Sequence, residues 1–374
     1  MAKTKDGKLS AFNLAAAYIG AIVGVSFSSG QELLTYFGNF GKAGMIGCAI
    51  SFTLFALFGP ICLFTARRLK RNRYDYVVTP FPEKKGWNIL RNWNLYVRMF
   101  FMFGAIASMA AGAANILSTR FGVPYYVGAV AMLAIGLFCA IGSQKKLVGS
   151  LSFATPLMVA LGIILCTIAA IKPPVEVPGT YADVSSNNAL IGSWVRSAFL
   201  YFGYNISLSI SVLSPMAENA RDDKACIGAG IITGIVNGGF ALICVYALIR
   251  NYSISSVVDM PTIEIAFKMS PIAGYCYSIV ALLAIFTTLV GILSVFKTRL
   301  GDMPWLNNEK TKWLNIQTFV IFLAVLSYAL SFVGFKKLTN YFFPFSGYCA
   351  ITFVVGLLFN FFWSLKHPAE DKAE

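Results

Sequence analysis

Charged residues are scarce in this sequence of 374 residues. Asp, Glu, Lys and Arg make up 12% of it, whereas a typical soluble domain contains about 25%. Hydrophobic residues reach 57%, and the mean hydropathy is +0.69. A soluble fold cannot bury this much apolar surface and still keep a charged exterior. The composition therefore excludes a soluble protein and indicates a polytopic membrane protein.

Side chains that bind metals or act as nucleophiles are also sparse. The chain has a single histidine, His367, in its polar C-terminal tail, and its eight cysteines include no CxxC pair. Scattered cysteines of this kind indicate neither a disulfide framework nor a metal site. No His, Cys or paired-carboxylate constellation falls at membrane depth, so we do not expect an enzyme or an organic cofactor.

Apolar segments long enough to cross a bilayer dominate the chain. Because a spanning helix needs about 20 mostly apolar residues and lipid leaves no partner for unpaired backbone groups, we expect an all-α integral membrane protein with ten transmembrane helices. The ten spans are 11–38, 43–68, 94–119, 124–142, 147–171, 191–218, 225–249, 271–297, 313–333 and 340–364.

The basic residues are sorted between the two sides of these spans. With the N-terminus in the cytoplasm, 22 of the 30 Lys and Arg residues fall in inner segments and seven in outer ones. This asymmetry satisfies the positive-inside rule and predicts that both termini are cytoplasmic. It also explains most of the net charge of +14 without a nucleic-acid partner.

One outer loop has the pattern of a short helix. The segment DMPTIEIAFKMSP (259–271) places Pro261 at a favourable first helical position. We expect its acidic residues, Asp259 and Glu264, to face water. An ordinary loop is the alternative.

Two spans carry small and polar residues where a membrane helix tolerates them least. They are IGAIVGVSFSSGQELL (19–34) in span 1 and YFGYNISLSISVLSPMAE (201–218) in span 6. Glycine costs about 1 kcal/mol inside a helix, and serine competes for backbone hydrogen bonds, so we expect both helices to be discontinuous. Close packing against a neighbouring helix is the alternative explanation for each.

The two interrupted spans begin the two halves of the chain, which have opposite orientations in the membrane. Inverted repeats of this kind are typical of secondary transporters, whose binding sites lie near the membrane midplane at discontinuous helices. The pattern therefore predicts a 5+5 inverted repeat, with repeats of about 11–171 and 191–364.

This arrangement resembles the LeuT fold of the amino acid–polyamine–organocation superfamily. The segment GVSFSSGQELLTYFGNFGKAGMIG (24–47) is similar to the start of the YkvI-type family of bacterial membrane proteins, which share a G…SGQE…FF…G…G pattern. The resemblance covers the whole chain by topology and is specific around span 1. It implies one transmembrane domain over 1–374 in the bacterial cytoplasmic membrane. It also implies a bundle of spans 1, 2, 6 and 7 that rocks against a scaffold of spans 3, 4, 8 and 9.

The resemblance also implies a cation site. Sodium-coupled members of the fold hold Na⁺ between carbonyls of span 1 and two adjacent hydroxyls of span 8, which match Gly20, Val23, Thr287 and Thr288 here. Hard oxygen ligands suit an alkali cation. Two alternatives stay open: the threonines bond back to the preceding turn, or Glu32 carries a coupling proton.

A substrate would lie between the two interrupted spans. Backbone amides at the start of a helix favour a carboxylate, and Tyr201, Phe202 and Tyr204 of span 6 offer an aromatic wall. The candidate substrate-binding residues are Gly24, Ser26, Ser28, Ser29, Gly30, Glu32, Tyr201, Phe202, Gly203, Tyr204, Asn205 and Ser207.

Glu32 has three possible roles, because an acid at membrane depth is costly without a partner. It attracts a substrate ammonium, forms an outer gate with a base such as Arg196, or stabilises the start of a helix through the dipole. The role that Glu32 has therefore decides between a zwitterionic and a cationic substrate.

The sequence thus predicts a secondary active transporter that couples Na⁺ to symport of a small amino acid or related zwitterion by alternating access. Its partners are a small-molecule substrate and the lipid bilayer, and no oligomeric state follows from the sequence. The alternatives are an H⁺- or Na⁺-coupled transporter of an organic cation, and a nutrient receptor of the same fold that does not transport.

Overall fold

Helices form all the regular structure in the described part of the chain. The computed structural model describes residues 8–23, 29–141, 144–172, 188–301 and 316–367. Within these ranges the one bridge between extended segments joins Leu9 to Ala220. There the amide of Leu9 donates to the carbonyl of Asn219, and the amide of Arg221 donates to the carbonyl of Leu9. The predicted all-α class is confirmed for the described residues.

The helices are numbered in chain order. They are α1 Ala11–Ile22, α2 Gln31–Tyr36, α3 Gly41–Arg68, α4 Tyr74–Val77, α5 Asn88–Phe121, α6 Tyr125–Ile141, α7 Gln144–Ile171, α8 Trp194–Ala217, α9 Asp223–Arg250, α10 Tyr252–Ser255, α11 Pro261–Met269, α12 Pro271–Gly301, α13 Ile316–Ser331, α14 Phe335–Lys337, α15 Phe343–Cys349 and α16 Ile351–Lys366. A π-helical turn, Leu338–Phe342, joins α14 to α15.

Among the described residues, five helical segments are long and apolar enough to cross a membrane. They are Gln31–Arg68, Lys85–Phe121, Asp223–Arg250, Pro271–Leu300 and Phe335–Lys366. Large apolar side chains on their outer faces are exposed, such as Ile235 at 70% and Ile272 at 76%. Exposed apolar faces of this size are the expected surface of a protein whose solvent is lipid.

The first span is interrupted as predicted. Helix α1 ends at Ile22, and the next helix in the described part of the chain begins at Gln31. Gly30 adopts a left-handed conformation with φ of 77°, and a Cβ at this position would overlap the Oγ1 atom of Thr262. Only glycine fits both conditions. Residues 24–28 lie outside the described residues.

The predicted break in span 6 is wrong, because α8 is continuous from Trp194 to Ala217. Its serine hydroxyls donate back to carbonyls of the preceding turn. Ser209 donates to Asn205 at 2.9 Å, and Ser214 donates to Ile210 at 2.7 Å. The polar residues are therefore satisfied along the helix and do not unwind it.

Gly203 serves helix packing within this continuous α8. A Cβ there would lie 3.0 Å from the carbonyl oxygen of Gly347 on α15, and a Cβ on Gly347 would lie 2.6 Å from the carbonyl oxygen of Leu200. The paired glycines let α8 and α15 approach at backbone distance. Close packing against a neighbouring helix, the alternative to a break in span 6, thus explains the glycine at position 203.

The long helices pack as two groups. Helices α1, α3, α8 and α9 pack against one another, and α5, α6, α12 and α13 form the second group. In terms of the predicted spans, the first group corresponds to spans 1, 2, 6 and 7 and the second to spans 3, 4, 8 and 9. These two groups contain the same spans as the bundle and the scaffold that the family resemblance implied.

Candidate functional site

A cavity of about 380 Å³ lies between the two helix groups. Helices α1 and α8 of the first group and α5 and α12 of the second form its walls, which are mostly apolar. Its polar lining residues are Glu32, Arg98, Tyr204, Asn205, Ser211, Thr287 and Thr288. A mostly apolar cavity with a few convergent polar groups is the usual form of a small-molecule site.

The cavity collects part of the predicted site. Three substrate candidates (Glu32, Tyr204 and Asn205) and three cation candidates (Gly20, Thr287 and Thr288) line it. Gly24, Ser26 and Ser28 lie outside the described residues. The other described candidates do not line it, and they are Val23, Ser29, Gly30, Tyr201, Phe202, Gly203 and Ser207.

Glu32 lies at one end of this cavity in the first turn of α2, and it is only 3% exposed. The side-chain amide of Asn205 donates to its Oε1 at 3.2 Å and also donates to the carbonyl of Tyr201 at 3.3 Å. The first turn of a helix stabilises a carboxylate through the dipole. Arg196, the proposed gate partner, is exposed at the start of α8.

Aromatic rings close the cavity near Glu32. Tyr204 stacks on Phe343 with ring centroids 5.3 Å apart, and on Tyr36 at 5.8 Å. Tyr201 packs behind them against Phe37 at 4.8 Å. Of the predicted aromatic wall, only Tyr204 lines the cavity.

Helix α11 covers the interruption of span 1 at the same end. The amide of Thr262 donates to the carbonyl of Ser29 at 3.0 Å, and Pro261 is at the first helical position, as predicted. The expectation that Asp259 and Glu264 face water is wrong. Glu264 forms an ion pair with Arg120, and Asp259 accepts a hydrogen bond from Asn115 at 3.0 Å, so α11 is tied to α5.

Thr287 and Thr288 lie on α12, and the hydroxyl of each donates to the carbonyl of Ala284 at 2.9 Å. The threonines therefore bond back to the preceding turn, which the sequence left open as one alternative. A hydroxyl has one donor and two acceptor positions, so both oxygens keep lone pairs for a cation. Gly20 lines the cavity from α1. The described residues contain no cluster of three His, Cys, Asp or Glu suited to a metal.

Two polar residues of the cavity, Ser211 and Arg98, were not predicted as site residues. Arg98 fell inside the predicted span 94–119 but was counted with the basic residues of the cytoplasmic side, whereas α5 begins at Asn88 and carries Arg98 well within the helix, where it is 2% exposed. Its Nε donates to the hydroxyl of Ser211 at 3.1 Å. The apolar run MFFMFGAIASMAAG that follows it directly is the signal that places it at membrane depth.

The chain is similar to a curated membrane protein that has no assigned function. It is 24% identical over 368 residues to the uncharacterized membrane protein YkvI of Bacillus subtilis (strain 168), covering 95% of this chain and 97% of YkvI. No family model matches the chain.

Two solved transporters share the fold. One is a Na⁺-coupled sialic acid symporter in a substrate-bound outward-open state, with a TM-score of 0.67 and 12% identity over 94% of this chain and 79% of that one. The other is Mhp1, a nucleobase-cation-symport-1 family transporter in a closed conformation, with a TM-score of 0.56 and 16% identity over 90% and 74%. The chain is therefore a membrane protein with the LeuT-like fold of secondary transporters.

Proposed function

We propose that this protein is a cation-coupled secondary transporter that works by alternating access. The observation that carries this proposal is the position of the cavity between two helix groups, beside the interruption of span 1. Each of the two groups packs mainly within itself, so one group can rotate relative to the other. Such a rotation exposes a site between them first to one side of the membrane and then to the other. The fold shared with two transporters supports the same conclusion.

The proposed topology is the ten-span 5+5 repeat, with both termini in the cytoplasm of a bacterial cell. Spans 1 to 5 are α1 with α2, α3, α5, α6 and α7. Spans 6 to 10 are α8, α9, α12, α13 and the segment from α14 to α16. In this orientation α11 lies outside, and the cavity extends from Glu32 toward the cytoplasm, past Met216 and Val295.

The proposed coupling ion is Na⁺, held by the carbonyls of Gly20 and Val23 and the hydroxyls of Thr287 and Thr288. Because α1 and α12 belong to different groups, an ion between them favours one arrangement of the groups. Binding of substrate and Na⁺ is then coupled, and each tightens the other by the same factor. The proposed substrate is a small amino acid or a related zwitterion.

A second candidate is transport of an organic cation. The observation that favours it is the buried carboxylate of Glu32 in the cavity wall. Replacing Glu32 with Gln keeps the hydrogen bond from Asn205 but removes the negative charge. A cationic substrate then loses binding, whereas a zwitterion held by its carboxylate retains it.

The test is a thermal-shift screen of amino acids and amines on the purified protein in Na⁺ or choline, followed by counterflow in proteoliposomes. We expect a ligand whose stabilising effect is larger in Na⁺ and which exchanges across the membrane. Stabilisation by a ligand without counterflow would contradict transport and support a receptor.

A further inference from the structure

Arg98 is a buried cation that has no part in the proposed coupling mechanism. It lies on α5, is 2% exposed and lines the cavity. A guanidinium stays protonated inside proteins, so its charge cannot be relieved by loss of a proton. A charged side chain at membrane depth is costly and usually marks a substrate or ion pathway.

The described residues provide Arg98 with little compensation. Its hydrogen bond is from Nε to the neutral hydroxyl of Ser211, and no described carboxylate lies within ion-pair distance. Asp75, a buried acid on the nearby α4, is paired with Arg73 at 3.1 Å. The two terminal nitrogens of Arg98 have no hydrogen-bond partner among the described residues. A ligand in the cavity is therefore the available source of negative charge.

We propose that Arg98 binds the carboxylate of the transported substrate, an inference that rests on the transport function proposed above. The planar guanidinium presents paired donors that match the two oxygens of a carboxylate. A single negative charge fits better than a phosphate dianion, because Arg98 is the one cation in the described lining and Glu32 lies in the same wall. The surrounding Met102, Leu208 and Val212 suit an apolar chain next to the carboxylate.

The substrate class that fits is a monocarboxylate with an apolar chain next to the carboxylate. Arg98 is held at the level of Ser211, six positions along α8 from Asn205, the partner of Glu32. This places the carboxylate about two turns away from the helix start at Gln31, where the sequence alone placed it.

The test compares acids with their amides on the purified full-length protein in Na⁺. The probes are norleucine and ε-aminocaproate, each with its amide, and the readout is the dissociation constant from thermal shifts and isothermal calorimetry. We expect each acid to bind at least about tenfold more tightly than its amide, because the amide loses a charged hydrogen bond to Arg98. Equal affinity for the acids and their amides would overturn the proposal.

Variants of Arg98 separate binding from folding. Arg98→Lys keeps the charge but loses the paired donors, so we expect about tenfold weaker binding of ε-aminocaproate and no change for the amide. The matched control is Arg299→Lys, at a buried arginine that contacts the ring of Tyr74 and does not line the cavity. Equal losses in the two variants would overturn the proposal.

Ligand-free stability provides a second measurement. Because Arg98 has no described counter-charge, we expect Arg98→Met to melt at or above the wild-type temperature. A fall as large as that of Arg299→Met would assign Arg98 a structural role and overturn the proposal. Counterflow of a ligand that carries no carboxylate would overturn the Arg98 assignment while leaving the transport function intact, whereas absence of counterflow for every ligand would remove the transport function itself.

Discussion

Gly30 provides a quantitative test of how the interrupted helix is closed. Its φ of 77° is a left-handed conformation, and a Cβ there would overlap Thr262 Oγ1 on α11. A non-glycine residue in that conformation costs about 1–2 kcal/mol, and forcing an extra methyl group into a packed site costs about 1–3 kcal/mol. We therefore expect Gly30→Ala to destabilise the protein by about 2–5 kcal/mol.

Two further variants divide this cost between its causes. Gly122 also has a positive φ, of 67°, but a Cβ there meets no atom within 4 Å, so Gly122→Ala reports the conformational strain alone. Adding Thr262→Ala to Gly30→Ala removes the overlapping oxygen, and we expect the double variant to approach Gly122→Ala in stability.

The assay is thermal unfolding of the purified protein in detergent, with unfolding in denaturant as a second measure. A Gly30→Ala variant no less stable than Gly122→Ala would refute the steric argument. So would a double variant with no recovery, since Thr262 would then not be the residue that limits the space.

Two smaller predictions concern polar contacts around the cavity. In the Arg120–Glu264 ion pair, about one fifth of each side chain is exposed. We expect a double-mutant cycle on thermal stability to give a coupling energy of about 1 kcal/mol. A coupling energy near zero would contradict the view that this pair holds α11 against α5. Replacing Asn205 with Leu leaves the buried oxygen of Glu32 without this donor, at a cost of about 1–3 kcal/mol. Ser209→Ala, at an equally buried position, removes only a back-bond within α8 and should cost at most about 1 kcal/mol; equal effects of the two would contradict the assignment.

Spans 1 and 6, both predicted to be interrupted, show how far sequence reasoning reached. Glycine and serine runs predicted a break in both, but only span 1 has one. The difference depends on contacts that are remote in sequence. Ser29 has its carbonyl satisfied by the amide of Thr262, whereas the serines of α8 find acceptors one turn away in their own helix. A carbonyl exposed by a break needs an outside partner, and composition does not show whether one exists.

The cavity was predicted in part for a related reason. Glu32 and Asn205 were both assigned to the substrate site, and they are hydrogen bonded there. Arg98 was missed because the predicted span 94–119 placed it near the helix start, where it was counted with the basic residues of the cytoplasmic side, and helix boundaries are the least certain feature of a sequence pattern. The helix begins at Asn88, so Arg98 lies about three turns inside it.

The central claim is that Na⁺ binds between α1 and α12. The direct measurement is the melting temperature of purified protein in increasing Na⁺, with choline keeping the ionic strength constant. A ligand that binds only the folded state stabilises it by about 2.7 kcal/mol at a hundred times its dissociation constant. The matched control is Thr298→Val, which removes an exposed hydroxyl on α12 that bonds back to Ser294 at 2.9 Å.

We predict that the melting temperature of the wild type and of Thr298→Val rises with Na⁺, and that the combined Thr287→Val and Thr288→Val variant does not respond. Equal melting of the wild type in Na⁺ and choline would contradict the claim. A full Na⁺ response in the variant that lacks both cavity hydroxyls would contradict it equally.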